Sequence, residues 1–189
     1  QMSIGYEMAL TPLQVLNFFN SIANNGTMMK PYLVTDIKNG NQTIKHFRPK
    51  TIRKQICSKE TAQMVQKMLV NVVEGKYGTA KKIKSDKVSF ACKTGTARIA
   101  KSDKGYEQRH QASIVGFFPA ENPVYSCIVL INRPSMGDIY GGTVAGPIFK
   151  EIVEKLYATN IESQQPINDK TLIANAKPLT THGYQNDIK

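Results

Sequence analysis

The sequence predicts an α+β fold: an antiparallel sheet of three strands between about residues 88 and 133, packed by helices, with a small hairpin near 32–47. Three observations predict it. The segments "KVSFACKTGTA", "QASIVGFFPA" and "VYSCIVLINRP" follow one another and are dense in β-branched and aromatic residues. Amphipathic helical patterns stand on either side of that block. Asn39-Gly40 separates two further strand-like runs, the strongest short-range hairpin signal. A chain of 189 residues, 41% of them hydrophobic, suits one domain with a core of its own.

Each element has a local cause. In "TPLQVLNFFNSIANNG" Thr11 is the N-cap, Pro12 takes the first helical position and Gln14 completes a capping box. Leu16, Phe19 and Ala23 share a face there, and Asn24-Asn25-Gly26 stops the helix. Ser58 is suited to cap a second helix with Ala62, Val65, Leu69 and Val72 on one face and Gly75 at its end. The following "GKYGTA" lacks the spacing of a phosphate loop and is set aside. In "KVSFACKTGTA", Val88, Phe90 and Cys92 alternate with Ser89, Ala91 and Lys93, which predicts one buried face and one exposed face. Ala120 to Pro123 reads as a hairpin loop, and the charged stretch from Ile99 to His110 as a long loop, either lining a site or disordered. In "GGTVAGPIFKEIVEKLY" Thr143 falls near a helix N-terminus and Pro147 in the first turn, with Ile148, Ile152 and Leu156 spaced by four. Residues 1–157 form the folded part; 158–189 are polar and unpatterned, a linker or tail with a short ordered patch at "TLIANA".

Composition narrows the function classes. No apolar run reaches the roughly 18 residues of a membrane span and no signal-like segment opens the chain, so these residues are expected to be soluble. Cys57, Cys92 and Cys127 form no CxxC and have no His at ligand spacing, which argues against a disulfide framework and a metal site; all three read as small buried apolar residues. No cofactor motif is present. The net charge is +11, and the stretch from Lys76 to Arg109 holds ten Lys/Arg against three acids. Such a rim attracts anions of any kind. An alternative reading is therefore a non-catalytic basic module for nucleic acid or another polyanion, although the absence of an RNP pattern, zinc finger or basic recognition helix disfavours nucleic acid.

The chemistry concentrates in "FACKTGTAR". Lys93 supplies fixed positive charge, Thr94 and Thr96 supply hydroxyl donors, and Gly95 lets a ligand backbone approach where a Cβ would collide. A strand edge so equipped suits an extended peptide carboxylate, and a backbone N–H on it can face a carbonyl oxygen that turns negative in acyl transfer.

The ordered series "GYEMALTPLQ", "SIANNGTMMKPYLV", "VVEGKYGTAKK", "FACKTGTAR", "ASIVGFFPAENPVYSCIVLINRP" and "GGTVAGPIFKEI" resembles the C-terminal half of a class B penicillin-binding protein transpeptidase domain, over Gly5 to Leu156. The resemblance implies a partial transpeptidase fold of the serine β-lactamase-like type. It further implies a parent serine-type D,D-transpeptidase, anchored at the extracytoplasmic (periplasmic) face of the bacterial inner membrane. Such an enzyme cross-links peptidoglycan stem peptides ending in D-Ala-D-Ala and is acylated by β-lactams. It assigns Lys93 to an interaction with the serine of an S-x-N motif, Thr94 and Thr96 to the substrate carboxylate, Gly95 to clearance, and the Thr96 backbone N–H to half of the oxyanion hole. Bifunctional class A synthases and class D β-lactamases commonly carry Trp on the strand after K-T-G, whereas this chain has no Trp.

One departure matters. Neither S-x-x-K nor S-x-N occurs, and Tyr184-Gln185-Asn186 mimics the latter only at the wrong place in the order. No nucleophile is expected in this chain. The missing N-terminal half of the domain is then its principal partner, and the chain alone is expected to be inactive. A third reading is a swap-prone body whose sheet lacks the two strands that half contributes.

Overall fold

A computed structural model describes residues 9–100, 106–135 and 137–159. Helix α1, Pro12–Ala23, begins as its capping box dictates: the Gln14 N–H donates to Thr11 Oγ1 at 3.3 Å and Gln14 Oε1 accepts from the Thr11 N–H at 2.8 Å. It ends where Asn25 (φ 50) and Gly26 (φ 92) turn left-handed. Only Gly fits there, because a Cβ would lie 2.7 Å from the Cys57 carbonyl oxygen. The most buried residues of α1 are Ser21 and Ile22, with Leu16, Phe19 and Ala23 half-buried beside them.

The short strand β1, Met28–Met29, then pairs with β4, Thr51–Arg53, around the hairpin formed by β2, Asp36–Asn39, and β3, Gln42–His46. The hairpin lies where the sequence puts it, but its turn does not. Asn39 pairs with Gln42, so Gly40 and Asn41 are the central residues. Gly40 carries the positive φ (55) while Asn41 does not, the pattern of a turn with Gly at its first central position. The β1·β4 pair was not foreseen, since strands of two and three residues leave no readable alternation.

Helix α2, Lys59–Glu74, starts on Ser58, whose hydroxyl accepts from the Thr61 N–H at 3.1 Å, and ends at Gly75. Its buried stripe is Ala62, Leu69 and Val73. The expected Val72 is half-buried beside it, a rotation of one residue set by what the helix packs on.

The main sheet runs β5-β6-β7, all antiparallel: β5 Ala91–Ala100, β6 Tyr106–Phe118 and β7 Tyr125–Asn132. Two expectations are corrected here. The strand expected from Val88 begins at Ala91. The loop expected over Ile99–His110 is largely strand, because the ladder continues through Arg98↔His110 and Ala100↔Tyr106. Backbone hydrogen bonds extend a hairpin whatever side chains it carries, and charge alone did not mark the strand ends.

The sheet is also covered on both faces, not one. Phe90, Cys92, Ile114, Phe118 and Val129 pack with Phe149 and Val153 of α4, Gly146–Thr159, while Ala91 and Phe117 pack with Ile22 of α1 and Leu69 of α2. This explains why Ala91, expected on an exposed face, is fully buried. Phe90 and Phe149 meet at 5.5 Å between ring centroids. Burying each such ring contributes roughly 1.5–3 kcal/mol. Cys92 is buried as expected, but Cys57 and Cys127 are only half-buried.

A one-turn helix α3, Gly141–Val144, precedes α4, in which Pro147 occupies the second position. Helix α4 runs to Thr159. The "TLIANA" patch and Tyr184–Asn186 lie outside the described residues. Among the described residues no helix is long and apolar enough to cross a membrane.

Candidate functional site

Residues 93–96 occupy the middle of β5. On one side they pair with β6, Lys93↔Val115, Thr94↔Ile114, Gly95↔Ser113 and Thr96↔Ala112; on the other no described strand pairs with them. An edge strand offers the outward N–H and C=O groups of alternate residues as a template for another extended chain. Lys93 and Thr96 are exposed, and Thr94 and Gly95 are half-buried. The rim is thus open to a ligand along its free edge.

The pleat divides the four side chains between two faces. Thr94 and Thr96 lie on the α3/α4 face, and both hydroxyls are already engaged there. Thr94 Oγ1 lies 2.8 Å from Thr79 Oγ1, and Thr96 Oγ1 accepts from the Gly141 N–H at 3.2 Å. Because the Thr96 oxygen accepts, its own proton remains to be donated, which suits an anion. On the opposite face the Lys93 ammonium donates to the Thr94 carbonyl oxygen at 2.8 Å.

Glycines make this crowding feasible. A Cβ on Gly141 would stand 2.1 Å from the Ser113 carbonyl oxygen and 2.5 Å from that of Gly95; one on Gly142 would stand 2.6 Å from the Thr79 carbonyl oxygen. A Cβ on Gly95 would meet Ser113 Oγ at 2.5 Å. Gly95 therefore also makes room for the Ser113 hydroxyl, which a Cβ would force to rotate away, a reason separate from ligand clearance. The segment that delivers Thr79 is "GKYGTA". It folds back on α2 through the Ala80 N–H donating to the Val72 carbonyl at 3.0 Å, with Gly78 so close that a Cβ would lie 2.2 Å from the same oxygen. Thr79 is the site residue that sequence reasoning missed. Its pairing with Thr94 spans 15 residues and leaves no local signature.

The electrostatics are uneven. Lys84 pairs with Glu74, and Lys87 with Glu154 at 2.8 Å, whereas Lys81, Lys82 and Lys93 form no salt bridge among the described residues. The Glu74 carboxylate raises the Lys84 ammonium above the ordinary lysine value, through a hydrogen bond first and charge second. Asp138 lies below the usual carboxylate range, through the nearby Thr143 hydroxyl first and the Tyr140 and Ile139 N–H groups next; these N–H groups donate to its carboxylate at 3.2 and 2.7 Å and fix the entry to α3, while the Thr143 hydroxyl donates to the Tyr140 carbonyl oxygen at 3.0 Å. Cys92, next to Lys93, is not a nucleophile: burial pushes its thiol up to about 12, and the Lys93 charge only partly opposes this. Among the described residues no three His, Cys, Asp or Glu side chains gather as a metal site.

Comparisons with known proteins identify the family and the fold. A family model described as the penicillin binding protein transpeptidase domain matches residues 1–154. The chain is 34% identical over 156 residues to the peptidoglycan D,D-transpeptidase FtsI of Buchnera aphidicola, a match that covers 82% of this chain and 26% of that protein. Its fold matches the apo transpeptidase domain of Burkholderia pseudomallei penicillin-binding protein 3 with a TM-score of 0.66 and 30% identity, over 87% of this chain and 47% of that one. It matches Mycobacterium tuberculosis penicillin-binding protein 3 complexed with aztreonam with a TM-score of 0.75 and 26% identity, over 88% of this chain and 39% of that one. The chain thus spans about a quarter of the curated relative and about half of the solved domain.

Proposed function

Because the chain belongs to the penicillin binding protein transpeptidase domain family, we propose that it supplies the substrate-cradling side of a serine acyl-transfer site that cross-links peptidoglycan stem peptides and is acylated by β-lactams. The observation that carries this reading is the open edge of β5 at Lys93–Thr96, with the Thr94 and Thr96 hydroxyls held by Thr79 and Gly141.

In this mechanism a D-Ala-D-Ala terminus lies extended along β5. Its carboxylate accepts from the Thr94 and Thr96 hydroxyls, and the Lys93 charge favours the anion. The attacking serine and its lysine base come from S-x-x-K sequence outside these 189 residues. As the serine oxygen bonds to the penultimate carbonyl carbon, its proton passes to the base and the oxyanion is met by the Thr96 backbone N–H and a second donor. Collapse breaks the peptide bond, and the terminal D-Ala leaves with a proton as the acyl-enzyme forms. A donor of this kind typically contributes roughly 2.7–4 kcal/mol to the transition state. A β-lactam follows the same course up to the acyl-enzyme, its ring nitrogen leaving but remaining tethered.

The division that goes with this reading is 1–157 for the transpeptidase part and 158–189 for a polar tail, with α4 crossing the seam. The parent protein acts at the extracytoplasmic face of the inner membrane. The test is intact-mass measurement after incubation with benzylpenicillin. The chain alone should gain no adduct, and the chain joined to a preceding half-domain bearing S-x-x-K and S-x-N should gain one, on the serine. A stoichiometric adduct on the isolated chain, or none on the joined one, would overturn the proposal.

A further inference from the structure

Residues 30–55 include no buried side chain, and only Asp36 and Phe47 are half-buried. Leu33 is fully exposed at 102%, and Val34, Ile37, Ile44 and Ile52 are exposed as well. From Lys30 to Lys54 the segment carries seven Lys/Arg against one acid, Asp36. That acid is engaged by His46 Nδ1 at 2.7 Å, and none of the seven cations forms a salt bridge among the described residues. The β2–β3 ribbon pairs with no third strand among the described residues. Two strands alone are marginally stable in water, and their unmatched outer edges are a template for a further one.

The backbone of the ribbon discriminates between occupants. Ile37 pairs with Lys45 and shares its face, Lys38 lies on the other, and Ile44 stands in the register shift between those two pairs. A flat anionic bilayer would meet the cations but leave the free backbone groups of the edges unmatched. A strand added along an edge sends side chains to both faces while satisfying the free backbone groups.

We propose that the β2–β3 ribbon is a docking site for an acidic, extended segment of a partner protein, which joins an outer edge as a third strand. Carboxylates of that segment meet Lys38, Lys45 and Arg48, and its apolar residues cover Ile37 and Ile44. The proposal does not depend on the acyl-transfer reading, since none of these residues belongs to the β5 rim.

The test uses the full chain with a fluorescent peptide of repeating Glu-Glu-Val-Val, which as a strand carries Glu and Val on both faces, a charge-swapped Lys-Lys-Val-Val peptide, and phosphatidylglycerol vesicles. The Glu–Val peptide should bind, the Lys–Val peptide should not, and amide exchange should slow within 36–46. Lys38→Glu/Lys45→Glu should weaken binding at least tenfold with unchanged melting. Because Lys45 also lies over the Phe47 ring at 4.8 Å, Lys38→Glu/Arg48→Glu is a second variant that leaves this contact intact and should weaken binding likewise. Protection that maps to 76–98 instead, binding that survives both variants, binding to vesicles alone, or no binding each overturns the proposal.

Discussion

Thr79 and Thr94 meet hydroxyl to hydroxyl at 2.8 Å, joining the loop after α2 to the edge strand β5. The contact fixes the rotamer of one of the two threonines assigned to the substrate carboxylate. In the joined transpeptidase, Thr79→Val keeps the shape and removes the hydroxyl. A neutral hydrogen bond contributes about 0.5–1.5 kcal/mol, so acylation by a carboxylate-bearing penicillin should slow by roughly two- to twelvefold. The methyl ester of the same penicillin should lose much less, since it presents no anion to orient. Equal losses for acid and ester would mean that Thr79 only supports the fold.

Gly141 carries a second prediction. Its N–H holds Thr96, and the atoms a Cβ would strike belong to the backbone of Ser113 and Gly95, which cannot swing aside. Overpacking of this kind costs about 1–3 kcal/mol. Gly141→Ala should therefore lower the melting temperature by about 2–4 °C for each kcal/mol. Calorimetry checks it, and an unchanged melting temperature would mean that α3 can lift away from the sheet.

The elements that could be read from the sequence were those whose cause is local. The capping box at Thr11 and Gln14, the Ser58 cap and the left-handed stop at Gly26 each depend on a few neighbouring residues. What could not be read depends on partners far along the chain. The burial of Ala91 requires α1 and α2 to cover a second face of the sheet, and the choice of Val73 over Val72 requires knowing where α2 lands. In the site, Lys93 to Thr96 could be singled out because four reactive or permissive residues adjoin. Thr79 and Gly141 act by a hydroxyl and a backbone N–H that sequence cannot place.

The cysteines give a third prediction. Cys92 is fully buried with its thiol pushed up to about 12, and burial raises the half-buried Cys127 thiol too. Thiolate is the reacting species. Reaction with a disulfide reagent at neutral pH should modify Cys57 first and Cys127 more slowly, with Cys92 reacting only on unfolding. Mass spectrometry of quenched samples reads the order. Early modification of Cys92 would contradict the packing of β5 against α4.

Glu154 gives a fourth, in pH. The carboxylate accepts from Lys87 Nζ and from the Ser85 hydroxyl, both at 2.8 Å, binding α4 to the segment that leads into β5. These contacts, the Lys87 hydrogen bond first and the Ser85 hydrogen bond second, hold its carboxyl below the ordinary 4.5. A group whose folded value is depressed adds stability above its unfolded value, and that stability is lost as pH falls through the folded one. The difference in melting temperature between the native chain and Glu154→Gln should therefore be constant above pH 4.5, shrink as pH falls below it, and vanish below the folded value. Comparing the two proteins at each pH cancels the like contributions of Asp36, Asp138 and Glu151, whose carboxyls are also held low. Thermal melts across the acid range measure it. A difference independent of pH would show that Glu154 acts through its shape and not through its charge.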